Sequence, residues 1–177
     1  MCSEIQLTQG KVAIIDDDDM DLVQGFTWKA DKGLYTFYAN TPIPHPVRTE
    51  LLPSGRKPRT VQSMHRLLMG LSFGDKHCVD HIDGNGLNNQ RANLRIATTS
   101  QNAMNKRSQS GSTSSFKGVS FNRQNRKWQA IITVNGTKRR LGNFDTEEEA
   151  ALRYDEAARY LHGEFAMTNG EMHVFTA

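Results

Sequence analysis

Cysteine is nearly missing from this chain: among 177 residues only Cys2 and Cys78 occur. Two thiols cannot build a disulfide framework or a four-cysteine zinc site, so the fold must rest on packing. Long apolar runs are missing too. No stretch approaches the ~18 consecutive apolar residues of a membrane span, which excludes a spanning helix and a membrane partner. The first residues, Met-Cys-Ser-Glu-Ile-Gln, offer neither a basic n-region nor an apolar h-region, so no secretory leader is expected. A reduced, cytoplasmic protein is the expectation. Hydrophobic residues make up 37% and charged residues 23%, which is polar but not the composition of a disordered chain. The length fits one domain or two small ones.

Acid is absent where base is densest. The formal charge is only +3, yet residues 106–140 carry nine Lys and Arg with no Asp or Glu, while residues 141–177 carry a net charge of −6. A +9 block inside a near-neutral chain is the footprint of a phosphate-binding surface. Aromatic and alternating apolar residues interleave with these charges, which sets the block apart from a merely solvated lysine-rich face.

The chain divides at one connector. Residues 106–115, Lys-Arg-Ser-Gln-Ser-Gly-Ser-Thr-Ser-Ser, are small and polar with no apolar period, and read as a flexible linker. Before it, Val12-Ala13-Ile14-Ile15 predicts a short buried strand and residues 34–39 a second one. Thr41-Pro42 to Val47, with three prolines, should break regular structure. The run Asp16 to Asp19, with Asp21, is read as a solvated turn in preference to a cation site. A short helix is expected over residues 61–70, with His65 a packed, hydrogen-bonded side chain beside Leu67 and Leu68. After the linker, Trp128, Ala130, Ile132 and Val134 alternate with Gln129, Ile131 and Thr133, and Asn135-Gly136 then signals a hairpin. Thr146-Glu147-Glu148-Glu149 is a capping box opening a helix of Ala150, Tyr154, Ala157, Ala158 and Leu161, closed by Gly163.

The densest chemistry lies in Val79-Asp80-His81-Ile82-Asp83-Gly84-Asn85-Gly86, followed by Asn88, Asn89 and Asn93, then Leu94-Arg95-Ile96-Ala97 and Gln101-Asn102 with Asn105. This reads as strand, loop, strand, helix. Asp80 and Asn102 offer hard oxygen ligands suited to Mg²⁺ or Mn²⁺. A neutral His81 at a strand end can take a proton from water near neutral pH. Together they permit one-metal hydrolysis of a phosphodiester. A turn-rich hairpin with an incidental histidine is the plainer alternative. His77-Cys78 near His81 lacks a clear fourth ligand for zinc.

Residues 62–105, with Met64-His65-Arg66 and the stretches just quoted, resemble the HNH endonucleases of the ββα-metal type, in the subgroup of phage and intron-encoded homing nucleases. The resemblance implies that Asp80 is a metal ligand and His81 the general base. It also implies that Asn93 orients His81 and fixes the loop, and that Asn102 is the second metal ligand. Residues 1–60 resemble the N-terminal part of phage proteins of this architecture through Leu7-Thr8-Gln9-Gly10-Lys11 and Ile15-Asp16-Asp17, and are expected to pad the nuclease unit with strands.

Residues 116–169 resemble the Apetala-2 (ethylene-response-factor) DNA-binding domain, through Lys117-Gly118-Val119, Lys127-Trp128-Gln129-Ala130, Leu141-Gly142-Asn143-Phe144 and Tyr154-Asp155-Glu156-Ala157-Ala158. That domain is a three-stranded antiparallel sheet on one helix, with its free sheet face in the major groove. Strand alternation sends Trp128, Ala130, Ile132 and Val134 to the helix, and Gln129, Ile131 and Thr133 outward with Lys138 and Arg140. Lys117, Arg123, Arg126, Lys138 and Arg140 are the candidate DNA contacts. Plant base-reading positions fall here on Ser120, Ile131, Thr133 and Arg140, so the target sequence does not carry over.

The expected fold is therefore α+β: a β-rich N-terminal part with an HNH unit over residues 1–105 (motif core 62–105), the linker 106–115, and a sheet-plus-helix DNA-binding module over 116–170. The expected activity is that of a Mg²⁺- or Mn²⁺-dependent endonuclease acting on double-stranded DNA, a monomer in preference to a dimer. The resemblance implies 5′-phosphate and 3′-hydroxyl ends. The alternative is a DNA-binding regulator with a non-catalytic ββα unit.

Overall fold

The structure is a computed structural model, described here for residues 1–33, 36–44, 59–105 and 113–170. It is a mixed fold of several small antiparallel sheets and few helices, in two compact units, Met1–Thr98 and Thr99–Ala177. No helix among the described residues is long and apolar enough to cross a membrane.

In the first unit, β1 (Cys2–Gln6) pairs with β2 (Val12–Asp16). The expected Val12–Ile15 strand is thus present, and its alternation buries Ala13 and Ile15 completely. After the short helix α1 (Met20–Val23) comes a three-stranded sheet of β3 (Lys29–Lys32), β4 (Phe37–Pro44) and β5 (Arg59–Ser63), with β4 in the middle. Residues 34 and 35 of the strand expected at 34–39, and 45–47 of the proline segment, lie outside the described residues. Pro42 and Pro44 do not break the strand as expected. The reason is topological: β3 begins at Lys29, opposite Asn40, so from Thr41 onward β4 is paired on one side only, where proline is tolerated.

The helix expected at 61–70 is shorter, α2 (Met64–Leu68), because Val61 and Gln62 pair with Pro42 and Thr41 as part of β5. Met64 and Leu68 on α2 close the core with Ile15, Val23, Trp28, Val79 and Leu94. The last two come from the hairpin of β6 (Cys78–His81) and β7 (Leu94–Ala97). In chain order α3 (Thr99–Met104) follows, completing strand, strand, helix.

The second unit carries the sheet β10-β9-β8, formed by β8 (Val119–Asn122), β9 (Lys127–Val134) and β10 (Thr137–Phe144), with the helix α4 (Glu147–His162). Asn135 and Gly136 both have positive φ, 51° and 77°, as the two-residue hairpin turn requires. The capping box forms: Thr146 Oγ1 accepts from Glu149 N at 3.2 Å and Glu149 Oε2 accepts from Thr146 N at 3.3 Å. Alanines let α4 lie close on the sheet. Gly118 is the tightest point, since a Cβ there would stand 2.1 Å from the Tyr154 ring. Thr113 and Ser114, read from sequence as linker, are tied into this unit: Thr113 Oγ1 accepts from Phe121 N at 2.9 Å and Ser114 Oγ from Phe116 N at 3.0 Å. Residues 106–112 of the linker lie outside the described residues.

Candidate active site

The site grows from the β6–β7 hairpin. Its register sets Asp80 opposite Arg95 and His81 opposite Leu94. Asp80 and His81 are both buried, 4% and 5% exposed, at the strand end where regular alternation lapses. A buried carboxylate needs a partner. Arg95 supplies it, its Nε and Nη2 donating to Asp80 Oδ2 at 2.9 and 2.7 Å.

The loop between the strands, residues 82–93, is held by its own amides. Asn93 Oδ1 accepts from Asp83 N at 3.0 Å, and its Nδ2 donates to Asp83 Oδ1 at 2.9 Å and to the Asn88 carbonyl at 2.8 Å. Asn88 Nδ2 donates to Asp83 Oδ2 at 2.8 Å. Asn93 therefore ties the loop to itself through Asp83 and Asn88. The side chain bonded to the histidine is another one, Asn89, whose Oδ1 lies 3.1 Å from His81 Nε2. Asn89 is fully buried, and its Nδ2 donates to the Leu87 carbonyl at 3.3 Å, which leaves Oδ1 facing the imidazole. An amide oxygen only accepts, so His81 Nε2 carries the proton and Nδ1 the lone pair. Burial pushes the His81 imidazole below its ordinary pKa, against the opposing pull of Asn89, Asp83 and Asp80.

The N-terminal acidic run braces this loop. Arg91 N donates to Asp16 Oδ2 at 2.8 Å, and the Arg91 guanidinium grips the buried Asp19 at 2.6 to 3.0 Å. Asp17 accepts from Ser3 Oγ at 2.6 Å, and Asp21 from Gln24 at 2.9 Å. Asn89 N also bonds the Ile14 carbonyl at 2.7 Å, and Ile14 N the Leu87 carbonyl at 2.8 Å. These carboxylates are engaged in structure, and Ile14, Asp16 and Asp19 position the loop by direct bonds.

His65 departs from expectation. It is packed, but its Nδ1 is buried with no hydrogen-bond partner among the described residues. Its ring meets the His81 ring edge-to-face, centroids 5.1 Å apart. Burial, with His81 and Arg66 adding, drives its pKa down to about 3, so it is neutral at pH 7.

A divalent cation suits the donors present. Among the described residues no three His, Cys, Asp or Glu side chains gather to hold a metal. Asp80 offers a hard carboxylate oxygen of the kind a divalent cation takes, with its Oδ2 bonded by Arg95. Asn102 stands on α3, part-exposed, in the second unit.

Of the candidate DNA contacts, Lys138 and Arg140 lie opposite Thr133 and Ile131 on the outward sheet face, as alternation predicts. Ser120, Gln129 and Asn143 form the next cross-strand row. Arg123 and Arg126 sit exposed in the β8–β9 turn, Arg126 with a φ of 54°. Lys117 differs: its Nζ donates to the Met104 carbonyl. Sequence reasoning missed Asn89 and Arg95, and misjudged His65. The register opposite Asp80 was the one signal for Arg95.

Residues 63–104 match the HNH endonuclease family. The "Uncharacterized HNH endonuclease L560" of Acanthamoeba polyphaga mimivirus is 44% identical over 91 residues, 51% of this chain and 46% of that protein. "Protein 3.8" of Escherichia phage T7 is 36% identical over 88 residues, 50% of this chain and 72% of the phage protein. "Ethylene-responsive transcription factor ERN1" of Medicago truncatula is 37% identical over 90 residues, 50% of this chain and 33% of the plant protein. The matched region thus spans under half of the mimivirus protein and a third of the plant factor. No solved structure matches the chain. With its HNH segment on the hairpin that carries Asp80 and His81, the chain belongs to the HNH endonuclease family.

Proposed function

We propose that this protein is an HNH endonuclease of the homing type that hydrolyses phosphodiester bonds in double-stranded DNA, with His81 as general base and one divalent cation, Mg²⁺ or Mn²⁺. The observation that carries the reading is the buried His81 held in one tautomer by Asn89 beside the Asp80 carboxylate. Nε2–H is committed to Asn89, so Nδ1 accepts the proton of the attacking water. Burial keeps the imidazole neutral near pH 7 and so able to accept it. Asn93 acts through the loop, holding Asp83 and Asn88 so that Asn89 stays on the ring. Asp80 and Asn102 would hold the cation, which when bound neutralises charge on the scissile phosphate and leaving oxygen.

The second unit would deliver the nuclease to its substrate. Lys138 and Arg140 on the open sheet face, with Arg123 and Arg126 at its turn, supply the positive surface for phosphates. Likeness to a plant ethylene-responsive transcription factor supports an ethylene-response-factor-like module here, and a tethered reader raises the effective concentration of the nuclease on one duplex. A monomer with one site would nick. The second reading is a DNA-binding regulator with a non-catalytic hairpin, and the observation on its side is the Arg95 guanidinium seated on Asp80.

The deciding experiment follows supercoiled plasmid carrying cloned target DNA, with Mg²⁺ or EDTA, for the wild type and His81→Ala. Metal-dependent conversion to open circle that is lost in His81→Ala supports the nuclease. Retained DNA binding with no cutting by the wild type supports the regulator.

A further inference from the structure

Three rings from three separate stretches of the first unit meet around the proposed base. His65, on α2, approaches His81 at 5.1 Å between centroids with an interplanar angle of 81°. Tyr38, on β4, lies 5.8 Å from His65 and 5.9 Å from His81. These separations fall within the range in which tilted and edge-to-face aromatic rings attract. Tyr38 is itself wedged. The site loop presses on it at Gly86, where a Cβ would stand 2.6 Å from Cδ1 and Cε1 of the tyrosine ring. The Gly86 amide also donates to Thr36 Oγ1 at 3.1 Å, two residues before Tyr38.

His81 is constrained in different ways by Asn89 and by the neighbouring rings. Asn89 bonds Nε2, which selects the tautomer. The rings of His65 and Tyr38 pack against the imidazole and set its plane, and with it the alignment of the bond to Asn89. The His65 contribution is that of a ring and not of a hydrogen-bonding group, because its Nδ1 has no partner among the described residues.

We propose that His65 and Tyr38 are positioning residues for His81, forming an aromatic wall that fixes the plane of the imidazole and thus the direction in which its Nδ1 lone pair points. The proposal rests on the reading of His81 as general base. It gives β4, part of the N-terminal region, a share in catalysis through orientation. Small errors in aim are costly, since a misplacement of about 1 Å can slow a reaction about 100-fold.

The test uses the full chain at pH 7.5 with two independent readouts. Long-range ¹H–¹⁵N NMR of the histidine rings reports the His81 tautomer without requiring activity. Cleavage kinetics on a duplex that the wild type cuts report kcat and KM separately. The expected result is that His65→Ala loses the single Nε2–H signature of His81 and drops kcat by about 10- to 100-fold with KM unchanged. His65→Phe, which restores a ring, should recover both. Tyr38→Leu attacks the other wall and should act like His65→Ala, which keeps the test alive if His65→Ala does not fold. A wild-type tautomer and kcat in both His65→Ala and Tyr38→Leu would overturn the wall. So would His65→Phe falling as far as His65→Ala. A wild type that cuts no DNA, while His65→Ala still scrambles the tautomer, would remove the nuclease reading and leave the positioning intact.

Discussion

Burying His65 makes the stability of the first unit depend on pH in a direction that can be worked out. Its folded pKa is about 3 against an ordinary value of 6.5. Below pH 6.5 the unfolded chain takes up a proton at this side chain that the folded one refuses. Stability contributed by neutral burial is therefore complete above pH 6.5 and lost progressively as the pH falls from 6.5 toward 3. The slope is about 1.4 kcal/mol per pH unit, so at pH 4.5 the loss is at most about 3 kcal/mol relative to pH 8. His65→Phe abolishes this term and keeps the ring contacts to His81 and Tyr38. The assay is urea unfolding at pH 8 and pH 4.5, followed by emission of Trp28, which is buried in the first unit, in a Trp128→Phe background. The wild type should lose up to about 3 kcal/mol more than His65→Phe over that interval. Equal losses in the two proteins would refute the assignment of His65 as a buried neutral group.

Three further outcomes follow from the same geometry. Asn89→Ala strips the partner from a buried His81 Nε2–H and should cost about 1–3 kcal/mol in urea unfolding, with a fall in cleavage kcat larger than any change in KM. Arg95→Ala removes the guanidinium from the buried Asp80 carboxylate, a loss of about 3–5 kcal/mol that Asp80→Asn in the same chain should largely reverse in the unfolding midpoint. Gly118→Ala puts a Cβ into the Tyr154 ring at a φ of 73°, so the second unit should lose its cooperative melting transition in calorimetry while the first unit keeps its own.

What the sequence made legible was local. The β9–β10 hairpin followed from period-two alternation and Asn135-Gly136, and the α4 start from Thr146 and Glu149, because each signal is complete within a few residues. Asp80 and His81 stood out for the same reason. The partners of those two residues were hidden because they depend on register and on long-range packing. Arg95 reaches Asp80 only through the β6–β7 pairing, and Asn89 reaches His81 only once Asp16 and Ile14 have pinned the loop. The prolines of β4 misled because an edge cannot be told from a center without knowing where β3 begins. The role of His65 was hidden because a helix of five residues says nothing about which side chain of another element it will face.

Single-turnover cleavage of a duplex that the wild type cuts, with Mg²⁺ and enzyme in excess, isolates the proposed transfer of a proton from the attacking water to His81. His81→Ala should bind the duplex with unchanged Kd and cut it about 100- to 10,000-fold more slowly. A His81→Ala protein that cuts at the wild-type rate would contradict that transfer.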